Sequence, residues 1–134
     1  MPIKYLNTDL DLVAPVDLSP LVEVFEPRGI FPLHINEEMP GRWVSRLETE
    51  REYPDPESNI RAMLDVIEAS SEDTRTIWHA CTQREFNVGY ECGDEPWAFN
   101  QSLTVSTLRR MAEAGATLRI TIYPPDRSTS LKDT

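Results

Sequence analysis

Cysteine is scarce in this chain: Cys81 and Cys92 are the only two among 134 residues. Two are too few for a disulfide framework, and without an export signal they read as free thiols. The opening Met1-Pro2-Ile3-Lys4-Tyr5-Leu6-Asn7 lacks the basic start, apolar stretch and small-residue cleavage site of a secretory leader, so a cytoplasmic protein is expected. Long apolar runs are missing too. None approaches the roughly 20 residues that span a bilayer, so a membrane is not an expected partner. Lysine is confined to Lys4 and Lys132, and 23 acidic residues bring the net charge to −10. Binding to a phosphate backbone depends on clustered Lys and Arg that release counterions, which excludes nucleic acid from the expected ligands.

Several chemical signatures are also absent. There is no glycine-rich phosphate loop followed by Lys-Ser/Thr, no Cys-x-x-Cys pair and no pair of histidines at helical spacing. His79, Cys81 and Cys92 supply three soft ligands where structural zinc takes four, so no metal is expected, and no cofactor is implied. His34 with Cys81 or Cys92 would make a nucleophile and base, and Glu85 with Glu91 an acid–base pair. Neither arrangement carries a motif that fixes its geometry, so no catalytic residue is assigned.

What the chain does contain is an ordinary globular balance, 40% hydrophobic and 27% charged, over a length that suits one core. A single α+β domain is expected over 1–125, with 126–134 as a flexible tail after Pro124-Pro125. Leu6, Thr8, Leu10 and Leu12 alternate with Asp9 and Asp11 as a half-buried strand. Asp17 or Ser19 opens a helix carrying Leu21, Val22 and Phe25, which Pro27 and Gly29 end. Phe31, Leu33 and Ile35 alternate with Pro32, His34 and Asn36 as a second strand. The turn around Pro40-Gly41 joins it in a hairpin to a third strand bearing Trp43, Ser45 and Leu47.

Ile60, Met63, Leu64 and Ile67 mark a helix with one apolar stripe, and Thr74 to Cys81 a shorter one. Phe86, Val88, Tyr90 and Cys92 alternate as a fourth strand. Leu108, Met111 and Ala112 face the core from a last helix capped by Gly115, and Leu118, Ile120 and Ile122 belong to a last strand. A strand–helix–strand unit thus occurs twice, which predicts a mostly antiparallel, ferredoxin-like sheet with helices on one face and the other face open.

Two surfaces are candidates for binding. The first is the stretch from Arg84 to Asn100, which gathers two glycines, four acids and four aromatics in a strand and loop. Loops on a rigid scaffold commonly carry ligand contacts, so Glu85, Asn87, Tyr90, Glu91, Asp94, Glu95, Trp97 and Asn100 form a candidate ligand site. A purely structural role would instead tuck Trp97 and Phe99 onto the core. The second surface is the open sheet face, where His34, Asn36, Arg46, Arg119, Thr121 and Tyr123 project together with Glu85 and Asn87. That face suits a protein partner or a second copy of the chain in a homodimer, and its structural role is that of a solvated face with cross-strand charge pairs.

The carboxyl-terminal run Leu103, Leu108, Met111-Ala112 and Gly115-Ala116-Thr117-Leu118-Arg119-Ile120-Thr121-Ile122-Tyr123 resembles the closing helix and strand of an uncharacterised bacterial family catalogued as domain of unknown function 4279. The preceding order of hairpin, long helix and strand is similar as well, over about two-thirds of the chain. The resemblance implies a bacterial protein with no catalytic role to carry over, and some members of that family look like immunity-type proteins. The expectation from the sequence is therefore a non-enzymatic binding or interaction domain. Its acidic surface favours a basic partner. The alternative is a small-ligand binder or enzyme with its site at Tyr90 to Asn100.

Overall fold

Five strands form one sheet in the order β2-β3-β1-β4-β5 in the structure, a computed structural model that describes residues 1–125. The strands are β1 (Lys4–Ala14), β2 (Ile30–Met39), β3 (Arg42–Thr49), β4 (Gln83–Glu91) and β5 (Thr117–Tyr123). The helices are α1 (Ser19–Phe25), α2 (Pro56–Glu68), α3 (Glu72–Ala80) and α4 (Val105–Glu113), and a 3-10 turn at Glu26–Arg28 follows α1. The fold is α+β with a mixed sheet: β1 pairs antiparallel with β3 and β4, β2 with β3, and only β4–β5 is parallel. The order and direction of the first four strands are compatible with the ferredoxin-like expectation, and α4–β5 adds a fifth strand at the β4 side. The expected tail from 126 onward lies outside the described residues.

Local chemistry sets the helix starts. Asp55 caps α2 by accepting from the Ser58 N–H at 2.8 Å, with Pro56 in the first turn where a missing N–H costs nothing. Ser71 caps α3 and Thr104 caps α4 in the same way. Gly41, at φ 76°, makes the tight β2–β3 turn that a residue with a Cβ would resist. The core lies between the sheet and α1, α2 and α3, where Leu10, Leu12, Leu47 and Phe86 meet Leu21, Phe25, Ile60, Met63, Leu64 and Trp78, all buried. Each such side chain contributes about 1.5–3 kcal/mol through burial.

Strict alternation fails at three points. The β1–β4 register shifts between Tyr5 and Asn7, and the β2–β3 register shifts between Pro32 and His34 and again between Glu37 and Met39. The first two shifts each insert one unpaired residue, Leu6 in β1 and Leu33 in β2, and both leucines are exposed instead of facing the core as alternation predicts. The bulge at Leu33 also reassigns its neighbours: Ile30, opposite Thr49, is buried, and Phe31 is only half-buried.

The last helix is a third correction. Thr107 and Met111 are its buried residues, whereas Val105, Leu108 and Ala112 are exposed. The cause lies in what holds α4. Arg110 donates to Glu68 at 2.8 and 3.0 Å and to Asp65 at 2.7 Å, which ties α4 to α2, and the Trp78 indole N–H donates to the Ala114 carbonyl at 2.8 Å. At the start of α4, Glu57 accepts from the Thr104 N–H at 2.9 Å. Drawn toward α2 and α3 along its length, α4 does not cover the helix side of β5, which Pro56, Gln101 and Leu103 flank only in part.

Candidate functional site

The β4–β5 register sorts the side chains of the last strand. Leu118, Ile120 and Ile122 lie level with Phe86, Val88 and Tyr90 and continue the core face of the sheet, while Arg119, Thr121 and Tyr123 share the open face with Asn87, Gly89 and Glu91. Core-face residues would ordinarily be buried. Leu118 is 42% exposed, Ile120 60% and Ile122 65%, because α4 stands over α2 and not over β5.

Beside this strip runs a groove of about 430 Å³, lined by Ile3, Tyr90, Cys92, Phe99, Asn100, Gln101, Ile120 and Ile122. Within its lining Phe99 meets Tyr90, ring centroids 5.3 Å apart and edge to face. Burial pushes the Tyr90 hydroxyl above the ordinary phenol range. Trp97, two residues before Phe99, is 99% exposed. A structural role would have tucked this indole inward, so its exposure is the feature that packing explains least.

The rest of the Arg84 to Asn100 stretch divides. Asp94 pairs with the amino group of Met1, and its own N–H donates to the Met1 carbonyl at 2.8 Å. The Ile3 N–H donates to Glu95 at 2.7 Å. Gly93 permits this approach, since a Cβ there would lie 2.6 Å from the Pro2 carbonyl carbon. Asp94 and the Glu95 backbone therefore anchor the segment, and Tyr90 and Asn100 line the groove. Glu85 and Asn87 point through the sheet to the other side, and Glu91 follows them by alternation. The candidate ligand residues thus do not form one site.

On the open face, Arg46 makes a two-pronged contact with Asp11, at 2.7 and 3.2 Å, and lies 3.9 Å from Asp9. Arg119 pairs with Glu85 at 2.8 Å, and Thr121 donates to Asn87 at 2.7 Å. His34 stands opposite Arg46, and Asn36 opposite Val44. A shallow groove of about 260 Å³ crosses this face between His34, Arg46, Asn87 and Arg119. Asp9, nearly buried, is pushed up to about 6 by burial, opposed by Arg46 and reinforced by the nearby Glu48 and Asp11 carboxylates. A ligand on this face would have to displace pairs the protein already makes internally.

The thiols stand apart: Cys81 is buried, and burial pushes it up to about 11, while Cys92 is exposed at the groove. Among the described residues no three His, Cys, Asp or Glu side chains converge to hold a metal ion, and no helix is long and apolar enough to cross a membrane.

Sequence reasoning missed the groove-lining Ile3, Gln101, Ile120 and Ile122, since periodicity assigns the isoleucines of β5 to the core, and it weighed Phe99 only as a residue tucked onto the core. One signal was available. The last helix offers only Val105, Leu108, Met111 and Ala112 as apolar residues, too few to cover both α2 and a strand. Compared with known proteins, the chain matches no family model, no curated protein and no solved structure at a significant level.

Proposed function

We propose that this chain is a non-enzymatic interaction module whose contact surface is the edge of β5 together with the apolar groove and the exposed Trp97 indole, two residues before the groove's Phe99. The observation that carries the reading is the exposure of Leu118, Ile120 and Ile122 on a strand whose outer edge no described element pairs. Contact surfaces typically centre on aromatic and aliphatic anchors, and Trp97 is such an anchor held out from the body of the protein. The open polar face, whose arginines are already paired, is the weaker candidate. The likeness of α4 and β5 to domain of unknown function 4279, and through it to immunity-type bacterial proteins, is part of the same proposal. A net charge of −10 would steer a basic partner toward the molecule.

The test compares binding by the wild-type chain with that of Trp97→Ala and Ile120→Lys, using immobilised protein and any protein retained on it at low salt. The reading expects retention that both substitutions abolish. Retention indifferent to both would remove this surface from the account. A second reading, a small apolar ligand, is favoured by the groove volume, which falls within the range of ligand pockets. It predicts that a hydrophobic dye binds one site per chain and that Phe99→Ala weakens it.

A further inference from the structure

The two edges of the sheet are built differently. At one end, β2 carries Pro32, register shifts beside Pro32 and Glu37, and the acids Glu37 and Glu38, all devices that discourage another strand from adding there. At the other end, β5 reads Thr-Leu-Arg-Ile-Thr-Ile-Tyr, with no proline, no bulge and no acid. Among the described residues nothing protects this apolar edge, while the other edge is guarded, which marks β5 as the edge open to a partner strand.

Its hydrogen-bonding side can be read directly. The Cys92 N–H donates to the Tyr123 carbonyl at 2.7 Å, so the backbone groups of Tyr123 face β4. Along a strand these groups alternate sides, so Thr121 and Arg119 also face β4, while Leu118, Ile120 and Ile122 present their N–H and C=O groups outward. The outward residues are the same three whose side chains are exposed on the helix side.

We infer that β5 pairs antiparallel with β5 of a second copy of this chain, about a two-fold axis at Ile120, to give a continuous ten-stranded sheet. This rests on the reading of β5 as the contact surface and names its occupant. The register follows from the strand itself. Centred on Ile120, the two strands exchange six backbone hydrogen bonds: Ile120 with Ile120, Leu118 with Ile122 and Ile122 with Leu118. Arg119 then falls opposite Thr121. Centring on Arg119 would place two guanidiniums directly opposite each other, and centring on Thr121 would bring in Pro124, which has no N–H to give. At Ile120 the axis runs through the sheet, so both helix layers lie on one side and the six apolar side chains form one strip between them.

Charge distinguishes this occupant from a basic one. The strand contributes only Arg119, already paired with Glu85, so no acid is forced into the contact. Two bodies of charge −10 still repel at a distance, and salt screens that repulsion over a Debye length of roughly 10 Å at 0.1 M. Self-pairing therefore strengthens with added salt, whereas a basic partner's binding weakens.

Sedimentation equilibrium across concentration and salt tests this, on the wild-type chain, Ile120→Lys, Ile122→Lys and Leu33→Lys, with circular dichroism melts to confirm each fold. Leu33 is the matched control, an exposed apolar residue on the opposite edge. Expected are a wild-type dimer that salt tightens, dissociation constants weakened about 100-fold or more for the two β5 variants, and no change for Leu33→Lys. A wild-type monomer at all concentrations overturns the inference, as does a dimer indifferent to Ile120→Lys. If the chain is monomeric yet Ile120→Lys still releases a different, salt-sensitive partner, self-pairing falls and the β5 surface stands.

Discussion

Phe99 meets Tyr90 edge to face with ring centroids 5.3 Å apart, and this contact fixes how the segment after β4 lies across the end of the sheet. Trp97 takes no share in it. The two aromatics, adjacent but for one residue, should therefore respond oppositely to truncation. Phe99→Ala is expected to cost about 1–2 kcal/mol in urea denaturation, from partial burial and the ring contact. Trp97→Ala is expected to change stability by no more than about 0.5 kcal/mol, as for an exposed surface residue, while removing binding at β5. A Trp97 cost comparable to that of Phe99 would mean the indole packs in solution.

Asn59 holds three elements at one point. Its side-chain carbonyl accepts from the Thr8 N–H at 3.0 Å and from the Tyr5 hydroxyl at 2.9 Å, and its amide donates to Thr49 Oγ1 at 3.0 Å. Asn59→Ala strands the buried Thr8 N–H and is expected to cost about 2–3 kcal/mol. Tyr5→Phe, which removes the hydroxyl's bonds to Asn59 and to Thr8 Oγ1 but keeps the Asn59–Thr8 N–H bond, is expected to cost about 1 kcal/mol. Chemical denaturation of both variants checks the order, and equal costs would show that the Asn59–Thr8 bond is not the main one.

Asp9 makes part of the stability fall as pH rises. Its carboxyl titrates near 6 in the folded chain, above its ordinary value of 3.8, so the folded state holds the proton more tightly. Stability from this group is fully present below the unfolded value and is lost as pH climbs through about 6, by an amount on the order of 2 kcal/mol. Other carboxylates act in the opposite sense: an N–H bond from Thr104 holds Glu57 below its usual range. The measurement is therefore the difference between wild type and Asp9→Asn in melting curves from pH 4 to 7. The variant is expected to gain on the wild type across that window. A constant difference would place Asp9 in an ordinary, ionised state.

Much of this was legible in the chain. The α2 stripe of Ile60, Met63, Leu64 and Ile67 is buried as its spacing requires. Leu6 and Leu33 were misassigned because a bulge resets a period of two without leaving a mark on composition. The contact surface was hidden for a different reason. Leu118, Ile120 and Ile122 alternate like core residues, and only the tertiary ties of Arg110 and Trp78 decide that α4 does not cover them. The open face was legible as a face, but the pairing of Arg46 with Asp11 and Arg119 with Glu85 is a matter of register across strands distant in sequence.

Residue-resolved amide exchange on β5, followed by NMR at low and high protein concentration, tests the central claim most directly. Arg119, Thr121 and Tyr123 donate toward β4 and are expected to be protected at every concentration. Leu118, Ile120 and Ile122 donate outward; they are expected to exchange freely in dilute solution, to become protected together as concentration rises, and to lose that protection in Ile120→Lys. Outward amides that stay unprotected at high concentration while the β4-facing set is protected would contradict the pairing of β5 with a second copy.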